Sequence, residues 1–540
     1  MENASLPTCR SVLAICSSLL VCLIAPLSSL AADGALDPGF SGDGKVTSDF
    51  GNPFTFDDAV DVLIQPDGKI IVGGVTGDFG DLARYHPDGT LDSTFGGDGS
   101  GARSGVGVQA IALQSDGKIV VAGGDTVIGS GVDFAVARFN TNGSLDDGSA
   151  SDSTPGDAFG TNGRVTTDFG DDDNARAVAL QSDGKIVVAG HRGPTSSGPD
   201  VDFAIARYNT NGSLDDGSAG DSTPADVFGT AGKVRTDFAG DEDVARDVII
   251  QPDGRILVAG HREFNGNPSF ALARYLPTGA PDTSFDTDGR LNTAFNGNSF
   301  ANAVAVQSNG KIVAAGAVTF GLDGSNFVLA RYNPNGSLDT SFGPNANGRA
   351  FVDIVPMGED QVNDLALQSD GRIVVAGFKG NSGTNATFAL ARFLPTGTLD
   401  SSFGTGGTVT TDFGAFPGDL SAVINGVALQ SNGHIVVAGS TRDNQFNNSD
   451  VVLARYVATS LVSEIQAKSF TFNGNIPTLQ IDSIAGYTYK LQVGSSLLAE
   501  EFTTVGTAQE GSTGTTLTFT GPAISAPRGF YRILIEPIGF

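Results

Sequence analysis

The amino-acid sequence predicts an all-β protein, a seven-bladed β-propeller closed by an N-terminal strand and followed by a small C-terminal β-sandwich. Three observations predict this fold. A ten-residue motif recurs seven times, turn residues separate short apolar runs in each copy, and a segment missing from the last copy stands before the first. The composition agrees, because 74 glycines, 23 prolines and no tryptophan among 540 residues favour short strands and tight turns.

The recurring motif is the ten-residue run from Gln181 to Gly190. Its Asp-Gly or Asn-Gly pair accepts the positive φ angles of a type I′ turn, so each copy predicts two antiparallel strands. A third strand ends in Ala-Arg-Tyr or Ala-Arg-Phe, and a fourth follows a Leu-Asp segment, which together make one propeller blade. The copies follow one another at 49 to 70 residues, outside the periods of helical repeats. They end at Gly74, Gly123, Gly190, Gly260, Gly316, Gly377 and Gly439.

The two ends of the repeat array complement each other. After Arg455 the expected Leu-Asp segment is missing, whereas an orphan copy begins at Leu36 and continues into a strand-like run ending at Phe50. Exchange of this strand between the first and last blades would close the ring and remove exposed sheet edges. We therefore expect a signal peptide in residues 1–31, the propeller in 32–458 and the sandwich in 462–540.

The first 31 residues have the pattern of a secretory signal. Arg10 precedes an apolar run from Val12 to Leu27, and Ser29 and Ala31 suit the small positions of a cleavage site. The alternative is an uncleaved anchor, because the run is near the lower length limit for a membrane span. All three cysteines lie here, so disulfides and cysteine chemistry are excluded from the mature chain. We expect an exported bacterial protein, secreted or at the cell surface, with no membrane span after cleavage.

The net charge of −29 narrows the partners. An acidic surface argues against sequence-independent nucleic-acid binding, which needs basic residues to displace counterions, and against adsorption to anionic lipid. It keeps an exported protein soluble and attracts cations. We expect a monomer whose partner is a polysaccharide or an extracellular protein.

The repeats resemble the delta-60 repeats of exported bacterial proteins, over about residues 36 to 456. That resemblance implies a propeller of unknown function in a secreted or surface setting, and it implies no catalytic residues. The C-terminal segment has about six strand-like runs, and Tyr489, Leu491 and Val493 alternate with polar residues as a half-buried strand requires. Its Tyr-Lys-Leu-Gln-Val and Gly-Phe-Tyr-Arg-Ile runs are similar to C-terminal modules of many secreted bacterial proteins.

Residues that differ between copies at equivalent positions are the candidate ligand contacts. Directly after the repeat glycine, the third and fourth copies carry His191-Arg192 and His261-Arg262, where the other copies carry unrelated residues. Neighbouring blades would bring these pairs together at one rim, as a site for an anion or sugar acid. Duplication of adjacent repeats is the alternative explanation. The seven repeat arginines, identical in every copy, are expected to bind repeat carboxylates and stabilise the blades.

Two acidic insertions are candidate calcium sites, because carboxylates and hydroxyls in a Gly/Ser loop are the hard ligands that Ca²⁺ prefers. Solvated acidic loops are the alternative, since the spacing is not that of an EF-hand. Weaker versions are the acidic runs 171–173, 241–243 and 286–289. The insertion carboxylates are Asp146, Asp147, Asp152 and Asp157, and their counterparts Asp215, Asp216, Asp221 and Asp226.

Signatures of common enzyme classes are absent, since the sequence has no P-loop, dinucleotide fingerprint, nucleophile elbow or zinc-protease motif. The sequence therefore favours a secreted or cell-surface protein that binds or scaffolds without catalysis. A glycan-active hydrolase or lyase using propeller carboxylates is the first alternative, and it predicts converging carboxylates with shifted pKa values in a pocket. A structural surface or adhesion component is the second.

Overall fold

The computed structural model describes residues 32–537 except the segments 51–56, 77–78, 97–101, 104, 128–130, 171, 194–200, 239–241, 322–323, 381–385, 414–419, 444–447, 459–466, 474–475, 484–486, 495–501, 511–514 and 521–529. The predicted signal peptide lies outside these residues. Two compact units divide the chain, one of residues 32–458 and one that includes 459–540. No helix in the described part is long and apolar enough to cross a membrane.

The unit of residues 32–458 is a seven-bladed propeller of four-stranded antiparallel sheets, as the sequence predicts. Blade 1 contains β2 (Asp57–Ile64), β3 (Ile70–Thr76), β4 (Phe79–Tyr85) and β5 (Ala102–Arg103). Blade 2 contains β6 (Gly107–Leu113), β7 (Ile119–Val127), β8 (Gly131–Phe139) and β9 (Arg164–Thr167). Blade 3 contains β10 (Asp172–Leu180), β11 (Ile186–Gly193), β12 (Asp202–Tyr208) and β13 (Lys233–Thr236). Blade 4 contains β14 (Asp243–Ile250), β15 (Ile256–Phe264), β16 (Asn267–Tyr275) and β17 (Arg290–Thr293).

The remaining blades repeat this order. Blade 5 contains β18 (Asn298–Val306), β19 (Ile312–Thr319), β20 (Ser325–Tyr332) and β21 (Arg349–Val352). Blade 6 contains β22 (Asp360–Leu367), β23 (Ile373–Lys379), β24 (Thr387–Phe393) and β25 (Thr408–Thr411). Blade 7 contains β26 (Leu420–Leu429), β27 (Ile435–Asp443) and β28 (Asn448–Tyr456), and its fourth strand is β1 (Lys45–Ser48) from the N-terminus.

The ring closes by the predicted strand exchange. Strand β1 pairs antiparallel with β28, with Lys45 opposite Ala454 and Ser48 opposite Val451. The pairing joins the first described segment of the propeller to the last blade, so no blade is left with an open outer edge there. The apolar core lies between adjacent blades as seven clusters.

The same arginine clamp stabilises every blade. Its arginine Nε donates to the aspartate of the Leu-Asp segment at 2.5 to 2.8 Å, and its guanidinium lies 4.5 to 4.9 Å from the centre of a repeat phenylalanine ring. Most of these guanidinium groups also donate to a backbone carbonyl in the next blade. The clamp pairs are Arg84–Asp92, Arg138–Asp146, Arg207–Asp215, Arg274–Asp282, Arg331–Asp339, Arg392–Asp400 and Arg455–Asp37.

The glycine that ends each motif permits a β-bulge in the first strand of its blade. A Cβ atom built on Gly190 would lie 2.0 Å from the carbonyl oxygen of Asn174, and the other six motif glycines face a carbonyl at 1.8 to 2.2 Å. In every blade the register shifts at this level, by one residue in the first strand. Because a bulge redirects the extra side chain, the motif glycine determines which residue of the first strand leaves the regular pleat.

Residues beyond 458 contain six described strands in two three-stranded sheets. One sheet contains β29 (Ala467–Asn473), β30 (Ile476–Ser483) and β33 (Thr515–Thr520), and the other contains β31 (Tyr487–Gly494), β32 (Phe502–Glu510) and β34 (Phe530–Pro537). Six strands are what the sequence predicts for this segment. Their arrangement as a β-sandwich stays a prediction.

Candidate functional site

The seven bulges converge on the axis of the propeller. The first strands of neighbouring blades contact one another around the ring, and a cavity of about 310 Å³ lies among them. Each blade contributes its bulge residue to the cavity wall, so seven equivalent positions surround the cavity. These bulge residues are Val60, Gln109, Arg176, Arg246, Asn302, Asn363 and Asn425.

Two arginines from adjacent blades carry the positive charge of this cavity. Arg176 on β10 donates from Nη1 to the side-chain oxygen of Gln109 at 3.2 Å, and its Nε is buried without a hydrogen-bond partner. Burial lowers the pKa of Arg176. Burial also lowers the pKa of Arg246, followed by the charge of Arg176, while Glu242 acts in the opposite direction. Within the described part of the chain, neither guanidinium forms an ion pair with a carboxylate.

Two neutral histidines lie behind these arginines. The Nε of Arg246 lies 3.5 Å from Nδ1 of His261, and the His261 ring packs edge-on against Phe300 at 4.8 Å between centres. Burial lowers the pKa of His261 to about 3, with Arg246 and His191 adding to the effect. Burial likewise lowers the pKa of His191 to about 4, helped by Arg176 and Arg246. At neutral pH both imidazoles are therefore uncharged, and the arginines alone supply positive charge.

Three carboxylates line the cavity, but each already accepts hydrogen bonds from backbone N–H groups. Asp61 accepts hydrogen bonds from the N–H groups of Val62 at 2.7 Å and Ile111 at 2.8 Å. Asp247 and Asp364 make the same two contacts, one within the blade and one to the next blade. Burial is the main cause that raises the pKa of Asp61 to about 7 and that of Asp247 to about 6, and it raises the pKa of Asp364 as well. In each carboxylate one oxygen binds the backbone of its own blade and the other binds the backbone of the next blade, so the group joins adjacent blades. This is a structural role.

The opposite wall presents side-chain amides. Asn302, Asn363 and Asn425 each donate through Nδ2 to a carbonyl of the next blade at 2.7 Å. The side-chain oxygen Oδ1 of Asn302 is buried without a hydrogen-bond partner. The cavity therefore has a cationic side on blades 3 and 4 and an amide side on blades 5 to 7.

The predicted histidine–arginine pairs are divided by the pleat of their strands. His191 and His261 lie close to each other, as the sequence indicates, but their arginine neighbours are Arg176 and Arg246. Arg192 lies opposite Asp173 and Asp202 in the sheet register, and Arg262 lies opposite Asp243 and Ser269, with its guanidinium 5.3 Å from the ring of Phe264. A ligand site built from all four predicted residues stays a prediction. The geometry favours a site in which Arg176 and Arg246 stand in place of Arg192 and Arg262.

The acidic insertions use most of their carboxylates internally. Lys118 binds Asp146 at 2.8 Å and Asp157 at 2.7 Å, while Asp152 accepts from the Asn140 side chain at 2.7 Å. Asp147 accepts from the backbone of Ser149. The second insertion repeats these contacts, with Lys185 bound to Asp215 and Asp226, Asp221 bound to Asn209, and Asp216 bound to Ser218.

The calcium sites expected in these insertions stay predictions. Among the described residues, the groups of three carboxylates close enough to share an ion lie elsewhere. The lysine contacts favour salt-bridged structural loops over open calcium loops. Of the weaker acidic runs, 171 and 241 lie outside the described residues.

The arginines of the cavity were missed by the sequence analysis, although a signal was present. In each first strand the bulge residue directly follows the residue that pairs with the motif glycine. Alignment of the seven copies on this position gives two arginines, a glutamine, three asparagines and a valine. Side chains that vary in chemistry within an otherwise constant frame indicate a ligand-facing position, because packing roles repeat from blade to blade.

Comparison with solved structures finds matches of low sequence identity. A catalytically inactive virginiamycin B lyase from Staphylococcus aureus with quinupristin is 9% identical, with 76% of this chain and 98% of that chain covered and a TM-score of 0.41. The polysaccharide lyase Uly1 is 11% identical, with 74% and 90% covered and a TM-score of 0.41. A PL25 ulvan lyase is 11% identical, with 76% and 97% covered and a TM-score of 0.43.

The repeats themselves match a known family. No curated protein sequence matches the chain significantly. The β-propeller family described as a domain of unknown function, DUF5122, matches seven segments spread over the seven blades. These segments are residues 65–95, 114–148, 181–217, 251–285, 307–342, 368–403 and 430–458. The repeats of this chain therefore match those of a family of β-propellers of unknown function.

Proposed function

We propose that this protein is a binding protein that recognises an acidic saccharide through the axial cavity of its propeller. One observation carries the proposal: Arg176 and Arg246 lie together in the cavity without a carboxylate partner among the described residues. Two partly buried cations that repel each other are costly unless an anion accompanies them. A ligand carboxylate or sulfate would supply that anion, and a guanidinium binds either through two parallel hydrogen bonds.

The amide side of the cavity supports a sugar over a simple anion. The side-chain amides of Asn302, Asn363 and Asn425 line this wall, and amide groups exchange hydrogen bonds with sugar hydroxyls. A cavity of about 310 Å³ is at the lower end of the range for small-molecule sites. It therefore suits one acidic sugar residue at the end of a chain better than the middle of a polysaccharide.

The setting proposed for this function is outside the cytoplasm. The N-terminal pattern of a secretory signal and the absence of cysteine after residue 31 support export. The net charge of −29 disfavours capture of acidic polymers along the outer surface, so recognition of an acidic ligand would depend on the cavity. A protein partner would instead use the rims of the blades.

A second candidate, an acidic-glycan lyase or hydrolase, is favoured by one observation. Neutral His191 lies beside the arginines that would hold a sugar carboxylate, and proton abstraction next to a carboxylate needs a neutral base at that place. Two features count against it. A pKa of about 4 makes His191 a weak base, and the three cavity carboxylates are occupied by backbone N–H groups.

The test is a calorimetric titration of the full chain with trigalacturonate and with neutral trigalactose. We expect binding of the acidic oligosaccharide that weakens with salt, and at least tenfold weaker binding of the neutral one. Arg176→Gln and Arg246→Gln should each reduce affinity at least tenfold, since each removes one charge. Arg192→Gln is the matched control outside the cavity and should bind normally.

Equal binding of both oligosaccharides, or full affinity in both cavity variants, would refute the proposal. Absence of binding to acidic saccharides, together with capture of a protein ligand by the rim, would favour the scaffold alternative. Release of unsaturated products that absorb in the ultraviolet, lost in His191→Ala, would favour the lyase.

A further inference from the structure

Three carboxylates meet where blade 2 passes into blade 3. Asp133 lies on β8, Asp168 directly follows β9, and Asp173 lies on β10. One oxygen from each lies within 4.8 Å of the other two. We propose that these three residues bind a divalent cation of the calcium class.

The separation of these oxygens fits such an ion. Calcium–oxygen distances are about 2.4 Å, so two ligands of one ion lie at most about 5 Å apart. Calcium accepts six to eight oxygen ligands, and water and backbone carbonyls commonly complete the set. Asp168 is exposed, which leaves room for water and a route for the ion.

A buried oxygen points to a missing ligand at this place. Asp173 is fully buried. Its Oδ2 accepts from the backbone N–H of Phe169, but its Oδ1 is buried without any hydrogen-bond partner. An unsatisfied buried carboxylate oxygen destabilises the folded state, and a bound cation would remove that destabilisation.

The charges around the triad favour a bound cation. Asp173 lies opposite Arg192 in the sheet register, and Lys233 donates to the backbone carbonyl of Asp168. Three ionised carboxylates beside these two cations leave a net charge of about −1. A divalent ion would offset that charge.

The next junction has an equivalent triad with one more cation beside it, although the Oδ1 of its Asp243 is likewise buried without a hydrogen-bond partner. Between blades 3 and 4, Asp202, Asp237 and Asp243 occupy the equivalent positions, again with oxygens within 4.8 Å of one another. There Arg235 binds Asp202 in an ion pair, whereas the equivalent residue at the first junction is Thr166.

The other nearby cations do not distinguish the two junctions. Lys233 donates to the carbonyl of Asp168, and Arg290 donates to the carbonyl of Asp237 in the same way. Arg262, opposite Asp243, corresponds to Arg192. The extra guanidinium of Arg235 therefore makes the second junction the weaker site. A third junction, between blades 4 and 5, has Ser269, Ala294 and Ser299 at these positions and provides no carboxylate.

The experiment is a calorimetric titration of the chelator-treated full chain with calcium chloride, with thermal unfolding as a second readout. We expect one tight equivalent of calcium and a higher Tm in its presence, because an ion that binds only the folded state stabilises it. Asp168→Asn, an exposed change that leaves the fold intact, should weaken this binding at least tenfold and abolish the rise in Tm. The matched change at the second junction, Asp237→Asn, should leave it unchanged.

Exchange of the distinguishing residue makes the test sharper. Thr166→Arg should weaken the calcium site as Asp168→Asn does, and Arg235→Thr should add a second equivalent. Calcium binding that survives Asp168→Asn and Thr166→Arg would place the ion elsewhere, for example in the acidic insertions, and would overturn the proposal. No binding by the wild-type chain would also overturn it.

Discussion

The arginine clamps and the axial cavity both depend on arginines, yet they use them differently. In the clamps every blade repeats the same arginine, aspartate and phenylalanine, and each guanidinium is paired. In the cavity the equivalent position carries valine, glutamine, arginine or asparagine, and Arg176 and Arg246 have no carboxylate partner among the described residues. In a repeat protein, a charged residue that recurs in every blade and is always paired indicates a structural role. A position whose residue varies between blades and whose charges lack an ion-pair partner indicates a ligand-binding role.

The largest expected effect is the loss of a clamp. Arg331 and Asp339 are both buried, and their side chains join at 2.7 Å. Arg331→Ala should lower the free energy of unfolding by about 3–4 kcal/mol. It removes one of the two cations bound to buried Asp339, since Lys311 stays, and it also removes the contacts of the guanidinium with Phe342 and the Pro395 carbonyl. Urea denaturation measures this loss. Arg176→Ala, the matched change in the cavity, should alter stability by no more than about 0.5 kcal/mol, and equal losses in the two variants would break the distinction.

The next effect concerns the glycine that creates the cavity position. Gly190→Ala places a methyl group 2.0 Å from the carbonyl oxygen of Asn174, so the bulge that presents Arg176 must shift. We expect a loss of about 3 kcal/mol together with weaker ligand binding. Gly156→Ala is the control, since a Cβ there meets no atom within 4 Å. A stable Gly190→Ala protein with normal binding would show that the bulge does not position the site.

A smaller effect distinguishes the carboxylates of the two regions by pH. Clamp aspartates such as Asp282 have a lowered pKa of about 2, whereas burial raises the pKa of the cavity residue Asp61 to about 7. With a pKa near 3.9 in the unfolded chain, Asp61 holds its proton more tightly when folded. Its contribution to stability is therefore greatest at low pH and falls as the pH rises toward 7.

Asp61→Asn removes this titration and isolates it from other groups. The stability of the wild type relative to Asp61→Asn should decrease by about 2 kcal/mol between pH 5 and 7 and then stay constant. Urea denaturation at half-unit pH steps measures the difference. A difference that grows with pH would mean that the folded state favours the charged form of Asp61, contrary to the account.

The repeat pattern predicts the propeller well because the determinants of a blade are local. The Asp-Gly turns, the apolar runs and the orphan segment at Leu36 predict the strand order and the closure by β1. The six strands of the C-terminal segment follow from alternation and turn residues in the same way.

The site is harder to predict because it depends on a bulge. Arg176 lies inside β10, and only the shift opposite Gly190 explains why its side chain reaches the axis. The sequence indicates His191 because this residue differs from its equivalents in most other blades. The sequence also predicts that Arg192 lies beside His191 in the site. Alternation along a strand separates Arg192 from it, and the contacts that matter come from another strand and another blade.

The most direct test of the binding account is a crystal structure of the protein with a bound acidic oligosaccharide. We expect the sugar carboxylate between the guanidinium groups of Arg176 and Arg246, with ring hydroxyls facing the side-chain amides of Asn302, Asn363 and Asn425. An oligosaccharide bound on the rim or along the acidic insertions, with the axial cavity filled only by water, would contradict it.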